Sequence, residues 1–89
     1  MAELLAKGQR VIVTAGAAGI GRAVVEALVA AGAHVHTCDV DANALEACGR
    51  ALPVGTTLAD VSDEAQVDRL FDEAGRSLGG LDVLVNNAG

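Results

Sequence analysis

The sequence predicts an α/β chain, a parallel sheet of four strands with helices on both faces, filling residues 1–89 as one domain. Three observations predict it. Short β-branched runs alternate with segments of helical periodicity along the whole length. A run of small residues, Thr14 to Gly21, separates the first strand-type run from the first helical one. No linker, repeat or low-complexity tract breaks the alternation, so consecutive strands are joined through helices by right-handed crossovers.

The first strand is Arg10-Val11-Ile12-Val13-Thr14, continuous and β-branched as a strand buried on both faces should be. From Ile20 to Ala31 the apolar residues Ile20, Val24, Ala27, Leu28 and Ala31 form a helical stripe, and Gly32 follows where a helix stops. His34 to Asp39 reads as the second strand, and Asp41 caps a short helix running through Gly49. A weaker third strand lies near Gly55 to Ala59. Ser62 caps a longer helix, with Asp63 and Glu64 in its first turn and an apolar stripe of Val67, Leu70, Phe71, Ala74 and Leu78. Gly79-Gly80 ends that helix, and Leu81 to Val85 is the fourth strand.

Composition removes several kinds of function. Hydrophobic residues make up 52% of the chain, yet one Phe is the only aromatic, so no tyrosine acid or base is available within it. Six Lys and Arg against twelve Asp and Glu give a formal charge of −6, which argues against a nucleic-acid partner. Cys38 and Cys48 are too few for a disulfide scaffold, and no CxxC or Cys/His cluster supports zinc. Met1 to Ala6 leads to Lys7 and Arg10 without a signal-peptide core, and the longest apolar run, Ala27 to Ala31, is far too short to span a bilayer. The expectation is a cytoplasmic protein with reduced thiols and no membrane partner.

The loop Thr14-Ala15-Gly16-Ala17-Ala18-Gly19-Ile20-Gly21 is where chemistry enters. Missing Cβ atoms at Gly19 and Gly21 let a pyrophosphate approach the backbone at a helix N-terminus, where N–H groups and the positive dipole end favour anions. The bland alternative is a tight turn that packs a helix on a strand, and the spacing is not the common G-x-G-x-x-G. Asp39 supplies a second sign. It ends the second strand, 18 residues past Gly21, where a carboxylate accepts hydrogen bonds from adenosine ribose hydroxyls. Its charge repels a 2′-phosphate, so NAD is favoured over NADP, with Arg22 as the nearest positive charge in NADP's favour. As an ordinary residue Asp39 would be a strand-end carboxylate or a cap for the next helix.

At these positions the chain resembles the short-chain dehydrogenase/reductase family, and the resemblance covers all 89 residues. That family carries T-G-x-x-x-G-x-G, an Asp after the second strand in NAD-using members, an Asp-Val-like pair after the third, and N-N-A-G after the fourth. Here they read Thr14 to Gly21, Asp39, Asp60-Val61 and Asn86-Asn87-Ala88-Gly89. The resemblance implies a Rossmann-like fold with strand order 3-2-1-4, an incomplete doubly wound domain. It implies that the backbone around Gly16, Gly19 and Ile20 binds the cofactor and that Asp39 binds the ribose. Asp60 and the Val61 backbone would contact adenine, Asn87, Ala88 and Gly89 would line the cofactor's other side, and Asn86 would brace the central strand. One departure is visible: Ala15 stands where the family has its first Gly. The added Cβ tightens the turn or shifts the loop, and Gly16 restores flexibility one residue later.

The family's chemistry passes a hydride between a nicotinamide and a carbonyl or alcohol carbon, using a Tyr, a Lys and a Ser that follow N-N-A-G. None has a substitute within this chain, which therefore reads as the N-terminal, cofactor-binding part of such an enzyme, with no catalytic residue of its own. A small-molecule carbonyl or alcohol is a partner only of a full-length form. Val83, Leu84 and Val85 would lie on an exposed sheet edge, inviting self-association. The remaining candidates read as structural: His34 and His36 as strand packing rather than metal ligands, Cys38 as a buried thiol, and Phe71 as a core anchor.

Overall fold

Four parallel strands and three helices make up residues 6–87, the part that the computed structural model describes. In chain order they are β1 (Arg10–Thr14), α1 (Gly19–Ala30), β2 (His34–Asp39), α2 (Ala42–Ala51), β3 (Gly55–Leu58), α3 (Glu64–Leu78) and β4 (Val83–Val85). The sheet order is β3-β2-β1-β4, as expected, with β1 at the centre. Register sets Ile12 beside His36 and Leu84, and Cys38 beside Thr57.

Alternation along β1 divides the core in two. Val11 and Val13, with Val35, pack against Val25 of α1. Ile12 and Cys38 pack on the opposite face against Leu70 and Ala74 of α3. Each such fully buried aliphatic side chain contributes about 1.5–3 kcal/mol. A smaller cluster of Ala17, Leu45 and Cys48 ties α2 to the glycine-rich loop.

Several elements differ from the sequence reading in informative ways. On α1 the buried positions are Gly21 and Val25, flanked by half-buried Val24 and Leu28, while Ile20 is 78% exposed. The stripe is rotated about one residue because Gly21 must lie against the loop backbone. The N-cap of α3 is Asp63, which accepts from the Ala65 and Gln66 N–H groups; Ser62 is turned back onto Asp60. Phe71 is 41% exposed rather than a core anchor, because it overhangs β4 beside Leu84, itself 47% exposed. Of the three β4 residues only Leu84 is exposed; Val83 and Val85 are half-buried against the α1 face. Leu81 and Asp82 precede the strand because Asp82 accepts from the Arg10 backbone N–H and guanidinium instead.

Candidate functional site

At the carboxyl end of β1 the chain turns through a single strained residue. Ala15 has φ +53°, a left-handed conformation that costs a residue with a Cβ. Its carbonyl accepts from Asn87 Nδ2 at 3.3 Å. The same carbonyl lies so close to Gly21 that a Cβ there would overlap it and come within 2.7 Å of Asn87 Nδ2. Thr14 adds a second tie, its Oγ1 accepting from the Asn87 N–H at 2.9 Å and lying 3.3 Å from Asn86 Oδ1. The loop and the end of β4 therefore hold each other.

Beyond the turn, α1 starts at Gly19 with Ala18 as its N-cap. No side chain caps it and its first turn carries no acid, whereas Asp41 and Asp63 cap α2 and α3. Its N-terminal N–H groups and positive dipole end are thus left for an anion. Gly19 has φ +59° and open space where a Cβ would be.

Asp39 faces this terminus from the end of β2. Its Oδ2 accepts from the Ala17 N–H at 3.2 Å, and its Oδ1 from the Val40 and Asp41 N–H groups at 2.8 and 3.1 Å. Two of these bonds shape the β2 turn and one fastens it to the loop, which aims the carboxylate along the sheet edge. Beside it is a cavity of about 130 Å³, with Ala15, Cys38, Asp39 and Val40 on one wall and Ala59, Asp60 and Val61 on the other. The Asp60 carboxylate is held below its usual range by the Ser62 N–H and then by the Ser62 hydroxyl, while its backbone N–H donates to Gln66 Oε1 at 2.7 Å. The acid is thereby kept ionised and the β3 exit fixed.

The structure thus brings Asp39, Asp60 and Val61 to one cavity, and the bond from the Ala17 N–H to Asp39 ties that cavity to the loop that leads to Gly19 and Ile20 at the helix start. Gly16 sits lower, its missing Cβ giving room to Thr37 rather than to the cavity, and its φ is not left-handed. The flexibility expected of Gly16 is therefore not what it provides, since Ala15 makes the turn itself. Asn87 reaches the loop by way of Ala15, and Ala88 and Gly89 lie outside the described residues. Val40, Ala59 and Gln66 were not among the residues to which the sequence pointed. The apolar Val40 directly after a strand-ending Asp was a usable signal, being 68% exposed beside the cavity; Gln66 had none.

Other titratable groups stand apart. Burial raises both thiols, Cys38 and Cys48, which makes them poor nucleophiles. Among the described residues no group of His, Cys, Asp and Glu is placed to hold a metal ion. His34 is exposed, whereas His36 is buried with Nε2 2.8 Å from Thr57 Oγ1.

The profile of the short chain dehydrogenase family matches residues 9–89. The chain belongs to this family. It is 42% identical over 86 residues to a short chain dehydrogenase/reductase of Colletotrichum higginsianum, covering 91% of this chain and 32% of that protein. It is 41% identical over 88 residues to a tropinone reductase homolog of Arabidopsis thaliana, covering 92% and 33%. An L-fucose dehydrogenase of Bos taurus is 48% identical over 84 residues, covering 92% and 31%. The chain spans about a third of the length of these relatives. In this member of the family the motifs within the described residues all lie at the carboxyl ends of strands, the edge where doubly wound sheets bind ligands.

Proposed function

We propose that this chain is the dinucleotide-binding part of an NAD-dependent oxidoreductase acting on carbonyl and alcohol carbons. The observation that carries this reading is the bond from the Ala17 N–H to Asp39 Oδ2, which ties a strand-end carboxylate to the loop before an uncapped helix N-terminus. The residues present fit the cofactor. Gly19 and Ile20 would hold the pyrophosphate, Asp39 the adenosine ribose, and Asp60 and Val61 the adenine, in the cavity of about 130 Å³. Asn87, Ala88 and Gly89 would line the other side. When bound, the nicotinamide gives or takes the hydride. NAD is preferred to NADP because Asp39 repels a 2′-phosphate and because Arg22 Nε lies 3.6 Å from Glu26 Oε2, its charge already opposed.

The relatives, an L-fucose dehydrogenase among them, support a small carbonyl or alcohol substrate for a full-length form. With no Tyr, the 89 residues alone are expected to be inactive. That absence favours a second reading, a catalytically silent nucleotide-binding or interaction module built on the same half-site. The proposed location is the cytoplasm; no helix among the described residues is long and apolar enough to cross a membrane. The charge of −6 speaks against nucleic acid. A second copy of the chain is a further proposed partner, through the β4 edge and the groove of about 260 Å³ that includes Leu84 and Phe71. A sedimentation coefficient independent of concentration would refute that contact.

Calorimetric titration with NAD, NADP and AMP tests the proposal. NAD and AMP should bind with similar weak affinity and NADP more weakly. Asp39→Ala should lower NAD affinity about tenfold, as expected for loss of a charged hydrogen-bond acceptor. No binding of any of the three at millimolar concentration would sink both nucleotide readings.

A further inference from the structure

We infer that Thr37 is a positioning residue for phosphate binding: from beneath the loop it sets the height of the Gly16 backbone, and with it the N–H groups that meet the cofactor's pyrophosphate. The inference rests on the dinucleotide reading above. Thr37 is fully buried in β2 and reaches no cavity wall of the candidate site. Its hydroxyl donates to the Val13 carbonyl at 2.7 Å, which points the oxygen's lone pairs away from β1. A Cβ on Gly16 would overlap that oxygen and come within 2.9 Å of Val25 Cγ2. Glycine at 16 and threonine at 37 are therefore fitted to each other.

Two further contacts make this a seat rather than a single touch. The Gly16 N–H donates to the Cys38 carbonyl at 3.1 Å, and the Cys48 thiol, fully buried, lies 3.9 Å from the Gly16 carbonyl. Gly16 is thus gripped at its N–H, its Cα and its carbonyl. The next N–H, of Ala17, carries the bond to Asp39, and the uncapped start of α1 follows. Raising Gly16 moves the loop that leads to the helix N-terminus, whereas six of the seven residues lining the adenine cavity, all but Ala15, lie outside that loop. A valine at 37 has the shape of threonine but puts a bulkier methyl against Gly16 and gives up the donor to Val13. A serine keeps both the oxygen and the donor.

The test compares AMP with adenosine on the 89-residue chain carrying Thr37, Thr37→Val or Thr37→Ser. The native chain should bind AMP about tenfold more tightly than adenosine, the difference being the phosphate at the helix terminus. Thr37→Val should lose about that factor for AMP while adenosine affinity changes less than about twofold, and Thr37→Ser should stay within about threefold of native for both. A general loosening of the fold would weaken both ligands together, so an unchanged AMP-to-adenosine ratio in Thr37→Val overturns the inference while leaving the dinucleotide reading intact. A native chain that binds neither ligand fails that reading instead, and the seat is then judged by unfolding in urea. Gly16→Ala should lower the midpoint markedly in the native background and much less beside Thr37→Ala; equal losses in the two backgrounds overturn it.

Discussion

At the scale of single residues, Ala15 and Gly16 divide between them what a tight turn needs. Ala15 takes the left-handed backbone at φ +53°, and Gly16 supplies the missing Cβ. Holding alanine there costs about 1–2 kcal/mol, while glycine would give up about 0.4–1 kcal/mol through a freer unfolded chain. Ala15→Gly should therefore raise stability by about 0.5–1 kcal/mol, read as a higher urea midpoint at unchanged slope. A loss of stability would mean that the turn is not strained. Asp39 and the loop were legible in the sequence because their residue types and spacing carry the chemistry. The seat was not, since nothing in a linear reading says that Thr37 and Gly16, 21 residues apart, touch. Ser62 and Asp63 are equally good caps by type, and only the chain's path over Asp60 decides between them.

At the scale of elements, β2, β3 and α3 are pinned together by one polar chain. Thr57 Oγ1 donates to Glu73 Oε1 at 2.6 Å, so His36 Nε2 must donate to Thr57 at 2.8 Å. His36 is then the neutral Nε2–H tautomer, with Nδ1 buried and unpaired near Ser77. Burial lowers its pKa, with Glu73 opposing part of the effect, and β1 presents only apolar Ile12 beside it. The sign follows from linkage. The fold binds a proton at His36 less readily than the unfolded chain, whose His titrates near about 6.5. The contribution is whole above that value and is lost as pH falls through the lower folded one. Thermal midpoints should drop between about pH 7 and pH 5, and His36→Gln should flatten that slope. A slope that survives the substitution would assign it to other groups. Asp82, held at about 2 chiefly by its bonds from Arg10, loses its tie between β1 and β4 only in stronger acid. The element order and sheet order were legible because strand and helix periodicities differ so plainly. The rotation of α1 was not, because Ile20 and Val25 are equally apolar and only the packing of Gly21 against Ala15 chooses between them.

At the scale of the whole molecule, one edge of the sheet gathers what the chain has to offer a ligand. The crossovers send the first three strands to the same carboxyl edge, where Asp39 and the Asp60–Val61 wall border one cavity and the Ala17–Asp39 bond ties in the loop that leads to α1. The exposed Phe71 and Leu84 border an adjoining groove over α3 and β4, which meets the Asp39–Asp60 cavity at Val61. The carboxyl edge is proposed to bind the adenosine phosphate of a dinucleotide. The most direct measurement is a two-dimensional ¹H–¹⁵N NMR titration of the 89-residue chain with AMP. Binding at that edge should give saturable shifts confined to the amides of residues 15–22, 39–41 and 59–61, with Gly19 and Ile20 among the largest. Shifts confined to the Phe71–Leu84 face or to the outer side of α2, or none up to millimolar AMP, would contradict it.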